Sequence, residues 1–399
     1  MTQPQVHLVV GTRPEAVKMA PLAAALRSAG LVRPVVVATG QHTSMVTQAL
    51  AAFGQHPDTM LTLDRRTGEQ VELVAELAPV LDRVLAHDGS AAVVVQGDTT
   101  SALVGGMVAF WRKVPLVHLE AGLRSGDLAS PFPEEANRRL IGVLADLHLA
   151  PTLRAAAALR REHVADDRVL LVGNTVVDAV LAVAADPQPF DDPRLSRIDD
   201  LVTAGDSRLM LVTAHRRESW GEPLDHVLAA VEQIVDEHPD LHCVLPAHAN
   251  PAVRAQVDRA LAAHPRVVVT GPLPYASLCR LLARSAVVLS DSGGIQEEAP
   301  SFRVPVLVLR EVTERMEAVE AGWAQLVGTD TARIVAAAKG VLDDTTVLPA
   351  SGNPFGDGHA AERSAEAIAW LLGLGPRPAA FDVATPNRPV PLGDGCREY

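Results

Sequence analysis

The chain has 399 residues, too many for one ordinary hydrophobic core and suited to two domains of roughly 150–200 residues each. Its formal net charge of -13 argues against nucleic acid or an anionic membrane surface as the main partner. The three cysteines form no CxxC pair, and neither a signal peptide nor an apolar stretch of membrane-spanning length is visible, so we expect a cytoplasmic protein without disulfides.

Short β-branched runs alternate with longer alanine- and leucine-rich segments, a pattern typical of parallel sheets covered by helices on both faces. We therefore predict an α/β fold with two doubly wound domains, residues 1–172 and 173–358, because the alternation restarts at about residue 173. A helix over 361–372 follows, and residues 373–399, rich in proline and glycine, are expected to form a mobile tail. The predicted strands are Val6–Val10, Pro34–Ala38, Ala91–Gln96, Val114–Leu119, Leu147–Ala150, Val169–Val172, Leu209–Thr213, His242–Leu245, Val267–Thr270, Ala286–Ser290 and Val306–Leu309.

The first strand ends in a turn that suits a phosphate group. Gly11 permits a tight turn, and Pro14 favours the start of a helix, where free N–H groups bind anions. Arg13 can donate two hydrogen bonds to a phosphate, and Lys18 adds a point charge. Taken alone, the motif fits a plain strand–turn–helix junction with a surface arginine equally well.

A second candidate anion site follows a later apolar strand. Ser292 can donate a hydrogen bond, and Gly293 and Gly294 let the backbone approach a phosphate. Arg315, further along the chain, adds a cation. A glutamate one turn into the helix is better suited to ribose or sugar hydroxyls. The alternative is a loop with an N-capping serine. These residues are Ser292, Gly293, Gly294, Glu298 and Arg315.

Three carboxylates lie where predicted strands end or a helix begins. Asp98 and Glu120 follow neighbouring strands, and Glu134 lies in a loop that opens a helix. Because the carboxyl ends of parallel strands lie at one edge of the sheet, we expect the three to meet there and raise one another's pKa, as acid–base chemistry requires. Any one of them alone fits the role of a helix cap or a solvated carboxylate equally well.

One histidine also ends a predicted strand. His215 precedes two arginines, which favours phosphate binding over an ordinary surface position. No HExxH motif or Cys/His cluster occurs, so no metal is predicted. No GxGxxG follows the first strand, so a nicotinamide cofactor is not expected either.

Six short motifs occur in order along the chain and are specific as a set. They are Gly11–Ala16, Gly97–Thr100, Glu120–Arg124, Pro133–Arg138, His215–Ser219 and Asp291–Glu298. Together they resemble the non-hydrolysing bacterial UDP-N-acetylglucosamine 2-epimerase family over residues 6–362. The resemblance implies two Rossmann-like domains in a GT-B arrangement with the ligand cleft between them, a last helix that returns to the first domain, a homodimer, and no cofactor.

The resemblance also implies a reaction and a set of site residues. UDP would be eliminated from UDP-N-acetylglucosamine to give 2-acetamidoglucal and re-added to give UDP-N-acetylmannosamine. Three alternatives stay open: a hydrolysing epimerase that releases N-acetylmannosamine and UDP, a GT-B glycosyltransferase, and a non-catalytic UDP-sugar sensor. By motif, the catalytic positions are Asp98, Glu120, Glu134 and His215, and the nucleotide-contacting positions are Arg13, Lys18, Ser292, Gly293, Gly294, Glu298 and Arg315.

Many members of this family are activated by their own substrate at a second site. The residues that resemble this site are Gln41, His42, Arg65 or Arg66, and His248. A further position, usually a longer Gln or Glu, is Ser44 here, and its side chain is too short to span the same gap. One lost hydrogen bond of about 1 kcal/mol is comparable with a typical allosteric coupling of about 1–3 kcal/mol. We therefore expect weak or absent activation by UDP-N-acetylglucosamine.

Overall fold

The computed structural model of the protein describes residues 3–214, 216 and 219–382. The described chain divides into two compact units, one of residues 3–179 with 355–382 and one of residues 180–354. These limits lie a few residues from the domain limits predicted at 172 and 358. Each unit contains one wholly parallel sheet with helices between its strands, so the predicted α/β class with two doubly wound parallel sheets is confirmed.

The sheet of the first unit has seven strands in the order β3-β2-β1-β4-β5-β6-β7. The order reverses between β1 and β4, and ligands of open α/β sheets bind beyond the carboxyl ends of strands at such a point. The strands are β1 (Gln5–Val10), β2 (Arg33–Ala38), β3 (Thr59–Met60), β4 (Ser90–Gln96), β5 (Leu116–Leu119), β6 (Leu147–Ala150) and β7 (Val169–Leu171).

The helices of this unit cover the sheet with evenly spaced apolar residues. On the longest of them Leu73, Leu77 and Leu81 recur every four residues, are fully buried, and belong to one core cluster with Val93 and Val95 of β4. The helices up to the unit boundary are α1 (Arg13–Ala29), α2 (Thr43–Ala51), α3 (Gln70–Asp88), α4 (Thr100–Trp111), α5 (Glu134–Leu144), α6 (Leu153–Arg161) and α7 (Thr175–Ala185), the last of which crosses the boundary.

The second unit repeats the plan with six strands in the order β10-β9-β8-β11-β12-β13, and its order reverses between β8 and β11. Its core is formed by the inward residues of β8, β9 and β11 and the facing residues of the helices. The strands are β8 (Arg208–Thr213), β9 (Leu241–Pro246), β10 (Val267–Thr270), β11 (Ser285–Ser290), β12 (Val306–Val308) and β13 (Ala324–Leu326). The helices are α8 (Pro193–Thr203), α9 (Glu222–Glu237), α10 (Pro251–Leu261), α11 (Tyr275–Arg284), α12 (Gly293–Glu298), α13 (Met316–Glu320) and α14 (Thr331–Leu342).

The predicted strands are all present, with ends shifted by at most two residues. Two further strands, β3 and β13, were not predicted and lie at one edge of each sheet. β3 has two residues and β13 has three, with an exposed glutamine in the middle, so neither carries an apolar run long enough to recognise.

The chain returns to the first unit through its last helix, α15 (Ala360–Leu371), which packs against α1. The helix predicted over 361–372 is therefore confirmed within one residue. Asp178 accepts the backbone N–H groups of Ala360 and Ala361 at 3.3 and 2.8 Å, which satisfies two free donors at the start of α15.

The first residues of the predicted tail contact the first sheet. Phe381 is 5% exposed, and its N–H donates to the carbonyl of Leu171 in β7 at 2.7 Å. The guanidinium of Arg377 donates to the carbonyl of Val169 in the same strand at 3.2 Å. Residues 374–382 thus lie against the first unit, because one phenyl ring and one guanidinium supply the contacts that the Pro/Gly-rich composition does not suggest. Residues 383–399 lie outside the described residues.

Candidate active site

The carboxyl edge of the first sheet carries the predicted catalytic carboxylates and Arg13. Arg13 begins α1 directly after β1, Asp98 follows β4, and Glu120 follows β5. Glu134 is the first residue of α5, whose residues contact Asp98. A Cβ atom added to Gly97 would lie 3.8 Å from Glu120 Oε2, so the turns after β4 and β5 approach each other closely.

Glu120 lies at the centre of a set of polar side chains. Its backbone adopts a positive φ of 61°, uncommon for a residue other than glycine, directly after β5. Lys18 Nζ lies 2.5 Å from Glu120 Oε1, and Asn174 Nδ2 donates to the same oxygen at 3.3 Å. Gln96 Nε2 donates to Oε2. Lys18, predicted to contact the nucleotide, is thus placed on a predicted catalytic carboxylate, and both side chains are about nine-tenths buried.

Asp98 is held by the helix that begins at Glu134. Arg138 contacts Asp98 Oδ2 through Nε and Nη2, both at 2.7 Å. Asn137 Nδ2 donates to the backbone carbonyl of Asp98 at 2.8 Å. The Asp98 side chain is still 24% exposed, so the carboxylate is fixed in place and accessible to a ligand.

The two adjacent glutamates of α5 have different surroundings. Glu135 is fully buried and accepts the N–H groups of Ser125 and Gly126 at 2.9 and 3.3 Å, together with bonds from two arginines. Glu134 is partly exposed, and its carboxylate has no hydrogen bond or ion pair within the described chain. Glu135 therefore fixes the preceding loop, while Glu134 is available to a substrate.

Arg13, like Glu134, is available to bind a ligand. It is half-buried at the first position of α1, and no described residue pairs with its guanidinium. Its unpaired guanidinium suits an anion such as a phosphate.

One buried carboxylate beside these residues, Glu15, was not predicted as a site residue. Glu15 Oε2 accepts the N–H groups of Gly11 and Thr12 at 3.0 and 2.7 Å and the Thr12 hydroxyl at 2.8 Å. Thr99 Oγ1 donates to Glu15 Oε1 at 2.6 Å. Burial raises the pKa of Glu15 from 4.5 to about 7, against the opposing effect of these hydrogen bonds. Its place three residues after Thr12, as in a capping box, was the available signal.

In the second unit, the predicted anion site lies between the ends of β8 and β11. The Ser292 N–H donates to Ser290 Oγ at 3.0 Å, and Gly293 and Gly294 begin α12. A Cβ on Gly293 would lie 2.9 Å from Arg315 Cζ, so only glycine lets this guanidinium approach the turn. A Cβ on Gly294 would meet nothing closer than 3.8 Å.

The charged residues of this site pair with one another. Arg315 lies 2.9 Å from Glu297 and 2.7 Å from Glu314, so acidic residues share its charge. Tyr275 Oη donates to Glu298 Oε1 at 3.1 Å, and both side chains are buried. Burial foremost, and then the charge of Glu298, raises the pKa of Tyr275. His215 lies outside the described residues.

The residues predicted for a second ligand site are distributed over both units. In the first unit Gln41 Oε1 accepts the Ser101 hydroxyl at 2.7 Å, and His42 is exposed just before α2. Arg65 is engaged with its own loop, donating to the carbonyl of residue 68 at 2.7 Å. In the second unit His248 Nδ1 accepts the backbone N–H of residue 250 at 3.0 Å. Gln41 and Arg65 are thus already used by the folded chain.

Clustered metal ligands and membrane-spanning helices are both absent from the described part of the chain. Within residues 3–214, 216 and 219–382, no group of three or more His, Cys, Asp or Glu side chains is placed to hold a metal ion. None of the helices in those ranges combines the length and apolar character needed to cross a bilayer.

Comparison with known proteins places these features in a family. A family model described as UDP-N-acetylglucosamine 2-epimerase matches residues 24–369. The UDP-N-acetylglucosamine 2-epimerase of Escherichia coli K12 is 41% identical over 380 residues, covering 91% of this chain and 98% of that protein. The chain belongs to the UDP-N-acetylglucosamine 2-epimerase family. This epimerase is accordingly an isomerase, and the resemblance inferred from its motifs is confirmed.

Solved structures of related proteins extend the match to the whole fold of this epimerase. A structure of Staphylococcus aureus MnaA with UDP is 40% identical, has a TM-score of 0.84, and covers 96% of this chain and 100% of that one. The UDP-GlcNAc 2-epimerase of Neisseria meningitidis, bound to UDP-GlcNAc, is 35% identical with a TM-score of 0.81 and covers 92% and 100%. The fold is thus that of epimerases with two Rossmann-like, GT-B-type domains.

Proposed function

We propose that this enzyme interconverts UDP-N-acetylglucosamine and UDP-N-acetylmannosamine without hydrolysis. A carboxylate takes the proton from C2, the C2–H electron pair forms the C1=C2 double bond, and the C1–O bond breaks with its electron pair on UDP. A carboxylic acid then protonates C2 from the opposite face, and the β-phosphate oxygen of UDP bonds again to C1. The products are the epimer and the regenerated enzyme.

The observation that carries this proposal is the placement of three carboxylates in different surroundings on one unit. Glu120 is paired with a lysine, Asp98 is paired with an arginine, and Glu134 has no partner in the described chain. Removal of a proton from one face and its delivery to the other require separate groups. A glycosyltransferase would need an acceptor site and has no use for three acids around C2.

The leaving diphosphate needs positive charge and N–H donors where its own charge develops. On this proposal Arg13 contributes its unpaired guanidinium. The diphosphate is also contacted by His215 and by residues of the second candidate anion site: Ser292, Gly293, Gly294 and Arg315. Glu298, oriented by Tyr275, binds the ribose. Lys18 is paired with Glu120, and on this proposal it acts through that carboxylate.

The reaction is tested with purified protein and UDP-N-acetylglucosamine in heavy water, without metal or NAD. We expect reversible epimerisation with deuterium at C2 of the product, measured by proton NMR, because the abstracted proton exchanges on a carboxylate. An epimer that keeps its original C2 hydrogen would exclude elimination. Free N-acetylmannosamine formed together with UDP would identify the hydrolysing alternative.

The site assignment is tested by neutral substitutions of the carboxylates. Asp98→Asn, Glu120→Gln and Glu134→Gln should each lower turnover by about 10²–10⁴-fold, the usual effect of losing acid–base catalysis. UDP affinity, measured by calorimetry, should change little because these groups act on the sugar. Asp206→Asn, at an exposed position in the second unit, is the matched control and should behave as the wild type. Near-normal turnover in any two of the three variants would show that the assignment is wrong.

We further propose that the enzyme acts in the cytoplasm as a homodimer. Four large apolar side chains are exposed on α4 and α5, which pack against each other: Phe110 (56%), Trp111 (64%), Leu140 (52%) and Val143 (80%). Apolar residues gathered on neighbouring helices favour a protein interface. Sedimentation should give a dimer for the wild type and a monomer for Trp111→Glu. A wild-type monomer at micromolar concentration would exclude this proposal.

A further inference from the structure

The segments that carry the three carboxylates are joined by hydrogen bonds that do not involve the reacting groups. Gly97, immediately before Asp98, is hydrogen-bonded to the end of β5 through both its N–H group and its carbonyl. Its N–H donates to the Leu119 carbonyl at 3.0 Å. Its carbonyl lies 2.8 Å from His118 Nε2. The strand that leads into Glu120 therefore also fixes the peptide that leads into Asp98.

Asp98 is fixed from its other side by the helix that begins at Glu134. Asn137 Nδ2 donates to the Asp98 carbonyl at 2.8 Å, and its side chain is buried. Gly97 and Asp98 thus present two consecutive carbonyls, one bound to β5 through His118 and the other bound to α5 through Asn137. The two bonds connect the backbone of Asp98 to both segments that carry the other carboxylates.

His118 makes this contact as a hydrogen-bond donor through Nε2. A carbonyl oxygen only accepts, so Nε2 carries the hydrogen, and Nδ1 is buried without a hydrogen-bond partner among the described residues. Burial foremost, and then the neighbouring His148 ring, lowers the pKa of His118 to about 3. The ring therefore stays uncharged at neutral pH and transfers no proton.

We propose that His118 and Asn137 are positioning residues of the epimerisation, which rests on the proposed function. They set the position of Asp98 relative to Glu120 and Glu134 without touching the sugar. Elimination needs a carboxylate base on one face of C2, and the later reprotonation needs a carboxylic acid on the other. On this inference Asp98 serves reprotonation, so its displacement slows that step and gives the bound 2-acetamidoglucal and UDP time to dissociate before the epimer forms.

The test compares two substitutions of His118 with a matched control. His118→Leu removes the donor at similar volume, whereas His118→Gln keeps an N–H near the Nε2 position. His148→Leu is the control, because His148 faces His118 in the register of β6 and is equally buried. We expect His118→Leu to lower kcat by about 10²-fold, the effect of a misplacement of about 1 Å, with little change in KM.

Two further readouts separate positioning from general loss of structure. His118→Leu should release more 2-acetamidoglucal and UDP per epimer formed, as measured by NMR, and His118→Gln should recover most of the lost kcat. His148→Leu should keep the wild-type product ratio even where its thermal unfolding temperature falls. Equal kcat values and product ratios for His118→Leu and His148→Leu would overturn the inference.

The outcome also distinguishes this inference from the proposed function. A wild-type enzyme that forms no epimer refutes the proposed function before any variant is compared. If His118→Leu does not fold, as judged by circular dichroism, the Asn137→Ala variant tests the inference instead. It removes the second anchor of Asp98, and we expect a lower kcat with more released intermediate. A folded Asn137→Ala variant with wild-type kcat and product ratio overturns the inference.

Discussion

Glu15 makes the stability of the first unit depend on pH in a direction opposite to that of most carboxylates. Its pKa is raised from 4.5 to about 7, chiefly by complete burial. The folded chain therefore binds this proton more tightly than the unfolded chain. Between about pH 4.5 and 7 the unfolded chain loses the proton first, so the contribution of Glu15 to the free energy of unfolding falls as pH rises. One pKa unit corresponds to about 1.4 kcal/mol, so the total change is about 3 kcal/mol.

Glu15→Gln should remove this dependence. The amide keeps an oxygen that can accept the N–H groups of Gly11 and Thr12 and never ionises. We expect the free energy of unfolding of the variant, relative to the wild type, to increase by about 3 kcal/mol between pH 4.5 and pH 8. The measurement is urea denaturation followed by circular dichroism at several pH values.

A second glutamate supplies the control for this prediction. Glu366→Gln changes a glutamate that lies on the exposed side of α15, and its pH dependence should match that of the wild type. A constant difference between Glu15→Gln and the wild type over the whole pH range would refute the reasoning. It would show that Glu15 is ionised in the folded state despite its burial.

The remaining predictions concern charge and regulation. Lys18→Met should lower the free energy of unfolding by about 3–5 kcal/mol, because it removes the cationic partner of Glu120 while this carboxylate stays buried. Adding Glu120→Gln should recover much of this loss in a double-mutant cycle, and additive effects would contradict a direct pair. Arg13→Ala should weaken UDP binding by about 2–4 kcal/mol in calorimetry, whereas unchanged affinity would place Arg13 away from the diphosphate. Because Ser44 is short, the reaction started from UDP-N-acetylmannosamine alone should run without a lag, and a strict need for added UDP-N-acetylglucosamine would contradict this.

The sequence was sufficient to predict the sheets and the turns where ligands bind. Buried parallel strands are short apolar runs rich in valine, such as Val93–Val95 in β4, and their ends are marked by a change to glycine and carboxylates. The position of Asp98 and Glu120 at neighbouring strand ends follows from this alone. Each strand end places a side chain at the sheet edge, whatever its partners are.

The partners of these residues were not predictable from the sequence. Lys18 lies five residues after Arg13 on the same helix, and a long side chain there reaches either a phosphate or Glu120. Only the packing of α1 on the sheet decides between them. Glu15 and His118 were missed for a related reason, since the burial of a polar side chain depends on segments distant in sequence.

The contacts of residues 374–382 bear on how this enzyme avoids aggregation. β7 is the last strand of its sheet, and a parallel sheet leaves carbonyls open along such an edge. Phe381 and Arg377 donate to the carbonyls of Leu171 and Val169, so a strand of another molecule would find these two acceptors already occupied. The segment after the last helix thus protects the chain against edge-to-edge association. A chain truncated after residue 373 would expose this edge.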